Sequence, residues 1–364
     1  MRVTSRLHGR IFGGWSALVT PDRQSIAHGR GPQPIVRPAT SEDTPEILNL
    51  IATSYDRLNA PLRYEYWRWK HEDNPFGASP CLVSESNGRL VGVRVFLRWT
   101  WRSESRDVRT VRAVDTATLP EWRGKGVFSR LTMRLVEQMQ AEGVSFIYNT
   151  PNGKSMPGYL KMGWAPVTRV PLWIRPLRLS AVFRRALASD PAAPPVLDTL
   201  PTVSQVLSDP RLPSFLADVA HNDPRYHTDR TPGYIRWRYA DIPTMSYGAR
   251  LEVSGDAGAL LIARGRVRGR FREVTISELL VTPSMRGVQL ARDMVSDLLR
   301  GVDADYIAAC AARSTTEQTV LARAGFIPAP RLGPHFTTRR LHSTGLDPAR
   351  WPNWRCSIGD LEIF

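Results

Sequence analysis

Arg123, Gly124, Lys125, Gly126, Val127, Phe128 and Ser129 put two cations and two glycines in one short stretch. Residue types in that order can hold a polyphosphate. Upstream, Val111 to Leu119 is rich in β-branched residues and stops at Pro120, as a strand does. Downstream, Val127, Leu131, Leu135 and Met139 recur every four residues, the stripe of an amphipathic helix. Strand, glycine turn and helix entry leave free backbone N–H groups at the positive end of a dipole, where an anion is stabilised. A glycine turn alone is also an ordinary tight turn, so its meaning depends on what surrounds it.

Beyond that helix, Ser145 to Asn149 reads as a buried strand, followed by Asn152, Tyr159 and Gly163-Trp164. The two segments together resemble the GNAT superfamily of N-acyltransferases. That signature is Gln/Arg-x-x-Gly-x-Gly/Ala after the fourth strand, then Asn-x6-Tyr-x3-Gly-Phe/Trp after the fifth. Arg123, Gly126, Asn152, Tyr159, Gly163 and Trp164 stand on those positions. Phe128 departs from the last position of the first motif, so its side chain must point away from a bound pyrophosphate. Ile35 to Asp43, then a helix carrying Ile47, Leu50 and Ile51, resembles the first strand and helix of the family. The resemblance covers residues 35–170 and implies an α/β fold with a mixed, α+β-type sheet flanked by helices.

The chain also repeats itself. Tyr66-Trp67-Arg68-Trp69-Lys70 with Pro75 is matched by Tyr234-Ile235-Arg236-Trp237-Arg238 with Pro243. Asp115, Pro120 and Arg123-Gly124 are matched by Glu278, Pro283 and Arg286-Gly287, and Gly163-Trp164 by Gly325-Phe326. Two tandem GNAT-like domains follow. In the second copy Gln289 replaces Gly126, Ser314 replaces Asn152 and Leu321 replaces Tyr159. Gln289 puts a side chain where a pyrophosphate needs bare backbone, and Leu321 cannot move a proton. The expected organisation is a basic, unstructured extension over 1–34, a catalytic domain over 35–171, a Pro/Arg-rich linker over 172–212 and a degenerate domain over 213–364. Trp354 to Asp360 reads as a closing strand.

The resemblance implies transfer of an acyl group from acyl-coenzyme A, most simply acetyl-CoA, to an amine. Backbone N–H groups from Gly124 to Ser129 would then hold the pyrophosphate, with Arg123 and Lys125 adding charge. The edge of Ala117-Thr118-Leu119 would pair with the pantetheine amides and polarise the thioester. Asn152 would either bond the pantetheine arm or cap the next helix. Tyr159 would protonate the departing thiolate, or simply pack under the coenzyme. Asp115 is the candidate base for the incoming ammonium. Because Glu278 holds the same place in the second copy, a structural hydrogen bond common to both scaffolds is the other reading. Tyr64 and Trp67, aromatics without an aromatic counterpart in the repeat, are the candidates for an acceptor wall.

Composition sets the remaining limits. At 364 residues and 42% hydrophobic content the chain is globular and long enough for two domains. It has no apolar run of about eighteen residues, so no membrane span is expected. Cys81, Cys310 and Cys356 are odd in number and far apart, and no histidine or cysteine pair has zinc spacing, so neither disulfide nor metal is expected. A reducing cytoplasm is the simplest compartment. The net charge of +15 comes almost wholly from arginine, with only four lysines. The densest cluster, Arg264 to Arg272, reads as a phosphate patch or as a solvated hairpin. A small-molecule amine acceptor, without nucleic acid, and a monomer or homodimer are expected. The competing function is an aminoacyl-tRNA-dependent transferase with tandem GNAT-like domains; a non-enzymatic binding module is a third.

Overall fold

The computed structural model describes residues 33–54, 64–177, 193–219, 223–343 and 345–361. The basic extension expected over residues 1–34 lies, apart from its last two residues, outside this range. Two mixed sheets organise the rest. The first contains β1 (Ile35–Pro38), β2 (Cys81–Ser86), β3 (Arg89–Ser103), β4 (Arg106–Thr118), β5 (Phe146–Asn149) and β6 (Ala165–Arg169). The second contains β7 (Leu172–Pro176), β8 (Gly248–Ser254), β9 (Ala257–Arg268), β10 (Phe271–Val281), β11 (Tyr306–Ala309) and β12 (Ile327–Ala329). Tight turns set the long hairpins. Asn87 and Gly88 join β2 to β3 at φ 52° and 72°, and Glu104 and Ser105 join β3 to β4 at 51° and 60°. Paired left-handed residues match the twist of antiparallel strands.

The chain order of strands breaks at two places. The last strand, β13 (His335–Arg340), inserts between β5 and β6, giving the seven-stranded order β1-β2-β3-β4-β5-β13-β6. In return β7 inserts between β11 and β12, giving β12-β7-β11-β10-β9-β8. Each half therefore lends a strand to the other. The expected linker starts with that lent strand, and the segment over 35–171 lacks one strand of its own sheet. Of the remaining linker, residues 178–192 are outside the described range, and α5 (Val203–Leu207) forms behind a Thr202–Gln205 capping box. Trp354 to Asp360 is not a closing strand. It leads into a short helix, here α10 (Ile358–Leu361), and β13 does the closing.

Helices cover the sheets where their apolar stripes dictate. On the first, α1 (Thr44–Ser54), α2 (Tyr64–His71), α3 (Val127–Ala141) and α4 (Met156–Lys161) pack as the repeat of Val127, Leu131, Leu135 and Met139 requires, all four being buried. On the second lie α6 (Leu212–Val219), α7 (Pro232–Ile235, continued by a π-type turn to Ala240), α8 (Met285–Gly301) and α9 (Thr316–Arg323). Between the sheets runs an aromatic seam that includes Trp69, Trp99, Trp101, Tyr148, Tyr234, Trp237, Phe336 and Trp354. The internal repeat meets itself there. Trp69 and Trp237 stack at 5.2 Å and 19°, and each indole N–H donates to the other's carbonyl, at 2.6 and 2.9 Å. The Arg264–Arg272 cluster is the β9–β10 hairpin, where Glu273 takes Arg266 and Asp303 takes Arg272. Among the described residues, no helix is long and apolar enough to cross a membrane.

Candidate active site

β4 and β5 run parallel and pair only from Thr110–Arg112 to Phe146–Tyr148. Past that point β4 continues to Thr118 while the chain after Asn149 turns away, so the strands splay and leave an open backbone edge. At the end of β4 the glycine turn leads into α3. Gly124 and Gly126 adopt φ 74° and 79°, and a Cβ at either would meet nothing within 4 Å. Left-handed backbone, not crowding, is what demands glycine here. Gly126 is the residue before the first turn of α3, which has no side-chain cap and no acidic residue. The first N–H groups of the helix are thus left for an external anion. Lys125 lies 5.0 Å over the Trp122 ring, and Arg123 Nε donates to the Thr118 carbonyl at 3.3 Å. Phe128 turns inward, edge-on to Tyr159 with centroids at 5.7 Å, as its departure from the motif requires.

Tyr159 stands on α4 and is 4% exposed, between Phe128 and Trp164. Its hydroxyl accepts a 2.7 Å hydrogen bond from Arg94 Nη2. Asn152 is occupied locally: its Oδ1 accepts from the N–H groups of Lys154 and Ser155 at 3.0 and 2.9 Å. That geometry makes Asn152 the organiser of the turn before α4, although the residue at the N-cap itself is Ser155.

Asp115 is the extra residue of a β-bulge, since Arg94 pairs with Thr116 and Val95 with Val114. One of its oxygens takes both Lys70 Nζ at 2.7 Å and His71 Nε2 at 2.8 Å. Burial works against its charge, but the two neighbours outweigh it and hold the carboxyl well below its ordinary range. A carboxylate held ionised this firmly is a weak base. In the second half Tyr239, the repeat-mate of His71, donates to Glu278 at 2.7 Å. Both acids thus tie the helix carrying the repeat motif to the bulged strand, which favours anchoring over catalysis for Asp115.

The two aromatic candidates do not share a pocket. Trp67 is 7% exposed, packed in the α1–β4 core and against His71 at 4.3 Å, because α2 turns it inward. It is core and cannot form an acceptor wall. Tyr64 is half exposed in a separate cleft with Arg68, Asp73, Trp237 and Asp241.

The second half lacks the glycine turn for a structural reason. α8 starts at Met285, only three residues after Thr282, and Ser284 caps it by accepting from the Gly287 N–H at 3.0 Å. No open turn precedes it. Gln289 sits inside the helix, bonded to Asp293 at 2.9 Å, and Leu321 is buried in the core.

Residue-by-residue reading of the sequence passed over Arg94, Lys70 and His71. For Arg94 a signal existed: it is the lone charge in the otherwise apolar run Leu90 to Leu97.

The His71 environment gives an expected pH dependence. Burial, the largest influence, depresses the His71 pKa, and His227 is lowered for the same reason. With its proton on Nε2, neutral His71 donates to Asp115 and accepts at Nδ1 from Ser79, at 3.0 Å. Below about pH 6.5 the unfolded histidines take up protons that the folded ones refuse, so stability falls as pH drops from 7 to 5. The Asp115 contribution has the depressed-acid sign: it persists above the ordinary aspartate range and is lost only below about pH 4. Urea midpoints at pH 7, 6 and 5 should decline in order, and a flat series would contradict a neutral buried His71.

Residues 35–167 match the family described as acetyltransferase (GNAT) domain. No curated protein matches the sequence. Among solved structures, a GCN5-related N-acetyltransferase from Anabaena variabilis is 14% identical, with TM-score 0.59, 85% of this chain and 73% of that one covered. One from Kribbella flavida is also 14% identical, at TM-score 0.56, with 85% and 72% covered. Saccharomyces cerevisiae N-myristoyltransferase with bound myristoyl-CoA is 9% identical, at TM-score 0.52, with 92% and 86% covered. Identities this low speak for the fold alone, which is the two-sheet α/β arrangement described above. The splayed strands, the glycine-turned helix entry and the match to the GNAT domain coincide in one stretch, residues 35–167.

Proposed function

We propose that the protein is an N-acyltransferase carrying an acyl group, acetyl in the simplest case, from acyl-coenzyme A to the primary amine of a small molecule such as an amino sugar, an amino acid or a secondary metabolite. One observation carries the reading. A single half combines an uncapped, glycine-turned helix entry with a buried tyrosine whose oxygen is already engaged by a cation. The other half has neither. A neighbour of this fold solved with bound myristoyl-CoA supports the donor class.

In this reading the N–H groups from Gly124 to Ser129 hold the pyrophosphate, and Arg123 and Lys125 add charge. The backbone of Ala117, Thr118 and Leu119 lines the pantetheine slot; since the Leu119 N–H goes to Val91, alternation turns Thr118 toward the open edge. Asn152 shapes the wall of the slot by fixing the turn into α4. The amine attacks the thioester carbonyl, and Tyr159 gives its proton to the departing sulfur. Asp115 keeps β4 and α2 in register. Three cysteines without disulfides suit a reducing cytoplasm.

The test is thiol release from acetyl-CoA across amino-sugar, amino-acid, aminoglycoside and polyamine pools. Tyr159→Phe keeps the ring packing and removes the acid, so turnover should fall about ten- to a thousandfold with donor affinity little changed. Turnover within twofold of the parent would make the tyrosine a packing residue.

A further inference from the structure

Arg94 is fully buried on β3 and has no carboxylate partner among the described residues. Its guanidinium is held over the rings of Phe96, Phe128 and Tyr159, at 5.0, 5.5 and 5.5 Å. Nη1 donates to the Val114 carbonyl and Nη2 to the Tyr159 hydroxyl, both at 2.7 Å, while Nε has no hydrogen-bond partner among the described residues. Burying a cation without a counter-ion is costly. Such a group has a use where negative charge arrives during the reaction.

The second half supplies an independent observation. Arg94 lies opposite Thr116, the residue after Asp115; the corresponding pair is Leu261 opposite Leu279, the residue after Glu278. Tyr159 corresponds to Leu321. Both members of the pair are therefore leucines in the half without a donor turn, each 1% exposed and sharing one apolar cluster. Guanidinium and phenol are present together or absent together.

We propose that Arg94 is the positioning residue for proton transfer to the leaving group, on the N-acyltransferase reading given above. By occupying a lone pair of the Tyr159 oxygen it turns the phenol proton away from β3. As the amine nitrogen bonds to the acyl carbon, the carbon–sulfur bond breaks and its electron pair stays on sulfur. The phenol proton passes to that sulfur, giving free thiol. The resulting phenolate faces the guanidinium until the proton lost by the nitrogen restores the phenol. One proton leaves nitrogen and one reaches sulfur, with no other reactant.

The experiment combines Arg94→Lys with Tyr159→Phe, singly and together, measuring acetyl-CoA turnover and donor binding by calorimetry. Arg94→Lys should lower kcat about tenfold or more with the donor KM within about twofold. In the Tyr159→Phe background the same change should cost less than about twofold, since the two act as one unit. Losses that multiply, or a loss confined to KM, overturn the assignment while leaving the function standing. Wild-type protein that releases no thiol overturns both. Should Arg94→Lys not fold, the double variant Arg94→Leu/Tyr159→Leu, the pair the second half carries, takes its place. It should be more stable than Tyr159→Leu alone, which strands the cation; a double variant less stable than either single one counts against the coupling.

Discussion

A chain cut to residues 35–171 is expected to give no folded protein. It keeps the glycine turn, Tyr159 and the whole of the GNAT match, but it loses β13, the strand that lies between β5 and β6 and pairs with both. Two unpaired strand edges would then stand open beside a bared aromatic face. Trp101, Phe146 and Tyr148 normally pack on Trp354, at centroid distances of 5.0, 5.5 and 6.2 Å. Large aromatic rings each bury roughly 150–250 Å², so the exposed patch would exceed what a soluble monomer tolerates. The fragment should aggregate or lack a cooperative urea transition. Supplying residues 172–364 as a separate chain in the same cells should restore solubility, because that piece carries both the missing strand and the partner face. A monomeric fragment with a sigmoidal transition and full acyl transfer would show instead that the second half has a separate task.

Replacing Gly126 by Gln, the residue of the second copy, should abolish coenzyme A binding while leaving the fold intact. A side chain there meets open space, so nothing clashes. The penalty lies in the backbone: at φ 79° a non-glycine residue is strained by about 1–2 kcal/mol. Relief of that strain would rotate the N–H groups that an anion needs. With the bulk of the side chain added at the helix entry, affinity should drop by more than about a hundredfold, roughly 2.7 kcal/mol. Calorimetry with an unaltered dissociation constant would remove the donor site from this turn. The reverse change, Gln289→Gly, should create no second site, since α8 is already wound past that position and capped by Ser284.

The elements that were legible in the sequence are those with strong local signals. The four-residue stripe of α3 depends on side chains a few residues apart, and the paired motif and the internal repeat on short motifs at readable spacing. The repeat was even more informative than its spacing suggested, since the matched tryptophans form the contact between the halves. The strand exchange was not legible. β7 and β13 are 5 and 6 residues long, and a short strand carries no mark of which sheet it will join. The Asp115 environment was hidden for a related reason. Only the fold brings Lys70 and His71, distant in sequence, onto one carboxylate oxygen. Trp67 misled because α2 is buried on more than one face, so an aromatic whose repeat-mate is the aliphatic Ile235 still points into the core.

The exchange also determines when this protein can fold as it is made. Tyr148 pairs with Thr338, so the sheet that carries the glycine turn closes only after residue 338 has left the ribosome. At typical synthesis rates the roughly 190 residues between them take on the order of 10–40 s to appear. During that interval β5 and β6 hold a vacant strand position between them, open to any extended segment nearby. Closure of this sheet is thus expected to come late, to be slow because of its long-range pairing, and to demand more of chaperones than a sheet whose strands all pair locally.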